Sequence, residues 1–80
     1  MSKRNSLTHQ AELQALLRIV RTESGLRQAD LAERLNQPQS FVSKYESGER
    51  RLDILELREV CQSLGLPLEE FIKRLEDTLK

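Results

Sequence analysis

Between Pro38 and Gly48 the chain reads Gln39-Ser40-Phe41-Val42-Ser43-Lys44-Tyr45-Glu46-Ser47. Its polar members are of types that hydrogen-bond to the edges of nucleic-acid bases. A glutamine amide donates and accepts side by side, which suits adenine. A lysine ammonium suits N7 and O6 of guanine, and a serine hydroxyl serves several bases. On a helix, Gln39, Ser40, Ser43 and Lys44 fall along one face, whereas Val42 and Tyr45 fall off it and point inward. By itself such a stripe is more often a solvated surface. Catalysis has no comparable candidate, because the sequence offers no nucleophile–base pair, no glycine-rich phosphate loop and no carboxylate cluster. The single Cys and single His cannot make a structural zinc site, and one Cys cannot close an internal disulfide. Cys61 reads as a buried structural thiol and His9 as an exposed side chain. We therefore expect no enzyme activity, no metal and no cofactor.

The elements that must carry the stripe are short helices. Leu13, Leu16, Leu17 and Val20 recur at i, i+3, i+4 and i+7, an amphipathic pattern with Ile19 off the apolar side. Thr8 is placed to cap this helix and Gly25 to end it, which leaves residues 1–7 as a flexible arm. A second helix is expected over about 28–35, with Ala29, Leu31, Ala32 and Leu35 inward. Asn36-Gln37-Pro38 interrupts it, since proline lacks an amide donor and disfavours helix in the residue before it. Pro38 opens a third helix over about 39–46, which Ser47-Gly48 ends. Three residues between two helices is the spacing of a helix-turn-helix. Asp53-Ile54-Leu55-Glu56 reads as a capping box for a fourth helix with Leu57, Val60, Cys61 and Leu64 inward. Gly65 closes it, and Pro67 opens a fifth helix whose Leu68, Phe71, Ile72, Leu75 and Leu79 share a face. The expected architecture is all-α, a five-helix orthogonal bundle forming one domain over residues 8–80.

The stretch Gly25-Leu26-Arg27-Gln28-Ala29-Asp30-Leu31-Ala32-Glu33-Arg34-Leu35, followed by residues 39–51, resembles the Cro/C1-type (XRE family) helix-turn-helix domain. The similarity extends through Leu64-Gly65-Leu66-Pro67-Leu68 and so covers roughly residues 13–72. It implies a lambda-repressor-like DNA-binding fold, with the third helix as the recognition helix in the major groove of double-stranded DNA. Gln39, Ser40, Ser43 and Lys44 would then read bases. Phe41 would touch a thymine methyl or fold back against the preceding helix. Gln28 matches a recurring backbone clamp of the family, and Arg27, Ser47, Arg50 and Arg51 are the other expected phosphate contacts. Lys3 and Arg4 in the arm would add to them. Arg21 and Glu46 match a pair that ties the first helix to the end of the recognition helix. Two positions depart from the family pattern. Arg27 stands where Ser or Thr commonly caps the second helix, and Pro38 stands where Ser or Thr often precedes the third.

Charge and size bound what such a domain does. The chain has 80 residues and no net charge, but residues 1–51 hold nine basic and six acidic side chains while residues 52–80 hold four and seven. A basic front half suits a polyanion, and an acidic back half suits a face kept away from it. No apolar run approaches the ~20 residues that cross a bilayer, and the N-terminus lacks a signal-peptide core, so the expected location is cytoplasmic. The expected function is that of a sequence-specific transcriptional regulator, a repressor acting as a homodimer on a palindromic operator. Residues 67–79 are the candidate dimerisation helix, through Phe71, Leu75 and Leu79. Two alternatives share the fold. One is an antitoxin or restriction–modification controller with a protein partner; the other is a protein-interaction adaptor that has lost DNA binding, which zero net charge mildly favours.

Overall fold

The structure is a computed structural model that describes the backbone from residue 3 and the side chains from residue 8 onward. Five helices follow one another: α1 (Lys3–Glu23), α2 (Gln28–Arg34), α3 (Gln39–Ser47), α4 (Ile54–Ser63) and α5 (Leu68–Leu79). Among the described residues there is no strand. The helix α1 starts well before Thr8, so the helical backbone covers positions assigned above to a flexible arm. The reason is local: residues 3–7 contain neither Gly nor Pro, and nothing in them stops a helix from propagating backward. The proposed phosphate contacts of Lys3 and Arg4 lie outside the described side chains.

Each helix contributes one apolar stripe to a single core. Leu16, Leu17 and Val20 of α1, Leu31 and Ala32 of α2, Val42 and Tyr45 of α3, Leu57, Val60 and Cys61 of α4, and Phe71 of α5 are all buried. Leu13, Leu35, Leu64 and Leu75 pack against this cluster while half-buried. Ala29, expected inward, is exposed, because the short α2 presents only Leu31 and Ala32 squarely to the core. Phe71 is completely buried, which withdraws it from any surface through which α5 meets another molecule.

The joints between helices follow from local hydrogen bonding. At the end of α2 the Gln37 amide donates to the Ala32 carbonyl at 2.9 Å and the Asn36 amide to Glu33 at 3.0 Å. Asn36 holds the left-handed position between them at φ 56°, a conformation asparagine tolerates better than most residues. Pro38 then precedes α3 in an extended conformation. Asp53 and Glu56 form the expected capping box, with the Glu56 amide donating to Asp53 at 2.8 Å and the Asp53 amide to Glu56 at 3.0 Å. The helices α2 and α3 pack mainly on each other and α3 also on α1, whereas α4 packs on α5 and α2. The helix α5 packs on α1 as well, so α1 contacts both α3 and α5.

Candidate nucleic-acid interface

The helix α3 is anchored by Val42, Tyr45 and Glu46, all buried, and this decides which side faces out. Gln39, Ser40 and Lys44 are exposed, Ser43 is half-buried beside them, and Ser47 continues the row. The polar stripe read from the sequence is therefore the outward face of α3. Ser47 Oγ donates to the Lys44 carbonyl at 3.1 Å and to the Glu49 carboxylate at 3.3 Å, so its hydroxyl is tied to the helix end. Gly48 ends the helix at φ 89°. A Cβ there would stand 2.8 Å from Gln14 Nε2 of α1, so α1 passes close to the end of α3.

A buried carboxylate fixes the tilt of this helix. Glu46 Oε2 accepts from Arg21 Nε at 2.6 Å, and Oε1 accepts from Arg21 Nη2 and from Gln28 Nε2, each at 3.0 Å. Arg18 Nε approaches Glu46 to 3.8 Å from the solvent side. The carboxylate, 2 % exposed, is thus paired to α1 and bonded to α2 at once. A buried charge without such partners would be strongly destabilising. The Glu46 hydrogen bond raises the pKa of the Arg21 guanidinium, which also donates to the Leu26 carbonyl at 2.9 Å. The sequence reading found the Arg21–Glu46 pair but not the parts played by Gln28 and Arg18. The spacing of Arg18 and Arg21, one helical turn apart, was the signal for the second.

The residues expected to meet phosphates divide into engaged and open. Gln28 is half-buried with its amide nitrogen on Glu46, so it belongs first to the structural hub. Arg27 is exposed and forms two contacts of 3.1 Å with Asp30, whose carboxylate also accepts from the Arg27 amide at 2.9 Å. Asp30 thereby satisfies the Arg27 amide from the third helical position, the half of a capping box that needs no acceptor on the residue-27 side chain. Those bonds to Arg27 lower the pKa of the Asp30 carboxyl. Arg50 folds back: Nη2 lies 2.6 Å from Glu56 Oε2, Nη1 donates to Glu56 Oε1 at 3.2 Å, and the guanidinium stacks 4.7 Å from the centre of the Phe41 ring. Arg51 is exposed.

Phe41 is engaged by its own helix and by the segment that follows it. Its ring is half-buried, meets Tyr45 edge-on with centroids 5.6 Å apart, and is covered by Arg50. The partner of Arg50 was absent from the sequence reading, although Glu56 had been placed there as a cap. The Arg50 bond holds the Glu56 carboxyl below its usual range, with the Asp53 amide adding to the effect.

The architecture is that of a helix-turn-helix module whose second helix displays a polar reading face. A model of the family described as Helix-turn-helix matches residues 17–71, and the chain belongs to the Cro/C1-type (XRE) helix-turn-helix family, whose fold is that of DNA-binding transcription regulators. Among solved structures it is similar to an XRE-family like protein from Pseudomonas syringae pv. tomato str. DC3000, at 40% identity and a TM-score of 0.78, over 96% of this chain and 98% of that one. It is also similar to a mutant of the restriction-modification controller protein C.Esp1396I, at 26% identity and a TM-score of 0.82, over 91% and 99% of the two chains. The chain matches none of the curated proteins. No helix among the described residues is long and apolar enough to cross a membrane.

Proposed function

We propose that this protein is a sequence-specific regulator that reads double-stranded DNA through the exposed face of α3 and acts as a homodimer on a palindromic operator. The observation that carries the reading is the pairing of an outward stripe, Gln39, Ser40 and Lys44, with a helix whose inward side is locked through Glu46. A rigid helix can enter the major groove in one orientation, so its side chains meet the same base edges each time. Lys44 and Gln39 supply base recognition and Ser40 and Ser43 assist. Arg51, exposed beyond the helix, supplies phosphate attraction, and Arg27 adds to it once it exchanges Asp30 for a phosphate oxygen. Its place of action is the cytoplasm, and its mechanism is occupancy of a site that RNA polymerase needs.

The likeness to a restriction-modification controller favours one specific version of this role, in which the target is the operon of a restriction–modification pair. The test is to incubate the purified protein with sheared genomic DNA at about 150 mM salt and sequence what is retained, since salt sets the non-specific background. Enrichment of a two-fold-symmetric site with half-sites about 10 base pairs apart supports the reading. Retention of no sequence, with no binding at lower salt either, would overturn it in favour of an adaptor.

A further inference from the structure

The hub around Glu46 holds one cation more than its carboxylate needs. Arg21 matches the Glu46 charge with hydrogen bonds of 2.6 and 3.0 Å, and both side chains are largely out of water. Arg18, one turn earlier on α1, adds a second guanidinium to a carboxylate that is already neutralised. Its Nε stands 3.8 Å from Glu46 Oε1, too far for a hydrogen bond, and its side chain is 60 % exposed. Among the described residues this is the sole ionic contact of Arg18. Glu46 thus draws the guanidinium to this edge of the bundle and leaves its N–H groups available to an anion.

Gln28 brings a neutral donor to the same spot. Its Nε2 donates to Glu46 Oε1 at 3.0 Å, which occupies one of two amide hydrogens. Arg18 and Gln28 therefore approach one and the same oxygen, from α1 and from α2, and lie near enough to each other for a single phosphate to accept from both. The place of this pair beside α3 tells what it meets. At about 100° per residue, Gln39, Ser40, Ser43, Lys44 and Ser47 fill one arc of α3, which Glu46 borders on the Gln39 side and Phe41 on the Lys44 side. Arg18 lies against Glu46, and Arg50 lies over Phe41. A guanidinium therefore flanks each edge of the reading face. The major groove is likewise flanked by a phosphate strand on each side of the helix that fills it.

We infer that Arg18 contacts DNA: its guanidinium takes a phosphate of the strand on the α1–α2 side of the groove, with Gln28 as second donor and Glu46 as a positioning residue. The inference rests on the DNA reading above and adds to it a contact made from α1. A phosphate fits better than a base edge, because Arg18 stands outside the arc that enters the groove. Glu46 does not repel it, since Arg21 cancels that charge and the phosphate meets the surplus charge of Arg18.

The test is fluorescence anisotropy of the wild type, Arg18→Gln, Arg18→Lys and Lys73→Ala on a labelled random-sequence duplex, from about 20 to 150 mM salt. Lys73 is an exposed cation of α5, so its removal changes the net charge by the same amount without touching the hub. Arg18→Gln should lower the slope of log affinity against log salt by about one, while Arg18→Lys and Lys73→Ala keep the wild-type slope. Urea midpoints of the same proteins are measured alongside. A midpoint that moves in Arg18→Gln with a slope that does not would mark Arg18 as structural and overturn the inference. An equal fall in slope in Lys73→Ala would overturn it too, since net charge alone would then matter, and so would a fall in Arg18→Lys. A wild type that binds no duplex at the lowest salt refutes the DNA reading itself. A wild type that binds with the slope of Arg18→Gln refutes this contact alone.

Discussion

Arg21 of α1 and Glu46 of α3 meet in a two-pronged ion pair, Nε to Oε2 at 2.6 Å and Nη2 to Oε1 at 3.0 Å, at the point where three helices converge. Removing one member strands a charge that the fold has taken out of water. Arg21→Ala is expected to cost about 3 kcal/mol, at the low end for a buried pair because Arg18 and Gln28 remain near Glu46. Urea unfolding measures this. Arg21→Ala combined with Glu46→Leu should cost less than the two single changes added together, and strict additivity would refute the coupling.

The open and engaged basic side chains should separate in binding experiments. Arg51→Ala should reduce the slope of log affinity against log salt by about one, since one phosphate contact is lost. Arg50→Ala should change that slope less, because its guanidinium is already held by Glu56 and Phe41, and should instead lower the melting temperature slightly. Lys44→Ala should leave the slope within about one of wild type and relax discrimination at one base pair by about 1–3 kcal/mol. Titrations of an enriched site and a mismatched one at several salt concentrations distinguish the three.

Gly48 should resist substitution. Its φ of 89° is costly for any residue with a Cβ, and that Cβ would also press on the Gln14 amide. Gly48→Ala is expected to cost about 1–2 kcal/mol by thermal unfolding, and Gln14→Ala in the same background should recover only part of it. Full recovery would place the cost in the contact instead of the backbone.

Stability should fall at both ends of the pH scale for identifiable reasons. The Glu56 carboxyl titrates below its unfolded value because of Arg50, so its contribution is present above the unfolded pKa of about 4.3 and is lost as pH falls through the lower folded value. The Cys61 thiol is pushed up to about 11 by burial, so full stability holds below about 8.5, the unfolded value, and declines as pH rises through 11. Glu56→Gln should therefore lower Tm at pH 7 and converge with wild type in acid. Cys61→Ala should flatten the alkaline limb of the profile.

Tyr45→Phe should be neutral or slightly stabilising. Among the described residues the buried Tyr45 Oη has no hydrogen-bond partner, and its desolvation is therefore uncompensated. The edge-on contact with Phe41 survives the change. A loss of more than about 1 kcal/mol in urea unfolding would mean that the hydroxyl is satisfied in solution.

These relationships mark where reading the chain from its residues succeeds. Helices bounded by strong local chemistry were legible: Pro38 and Gly48 bracket α3, and the Asp53–Glu56 box opens α4, because each signal acts over one turn. The start of α1 was not, since residues 3–7 hold no breaker and the cap at Thr8 competes weakly with propagation. The inward set followed the 3.6-residue period and failed at Ala29, on a helix of seven residues too short for the period to be decisive. The outward stripe of α3 followed from the burial of Val42 and Tyr45. What the one-dimensional pattern could not carry was the destination of long side chains. Arg50 stacks on Phe41, Gln28 turns to Glu46 and Arg27 doubles back on Asp30, and each partner is chosen by tertiary proximity or by rotamer.

The position of Cys61 has a practical consequence. It is the only cysteine of the chain, completely enclosed by the core between α4 and its neighbours, and neutral at physiological pH. A thiol-reactive dye cannot reach it until the bundle opens, and the newly exposed thiol then reacts at its ordinary solution rate. The rate of labelling in native buffer is thus a clock for spontaneous opening, built into the natural sequence. Slower labelling when duplex or a second copy is bound would convert directly into the free energy with which that partner holds the bundle shut.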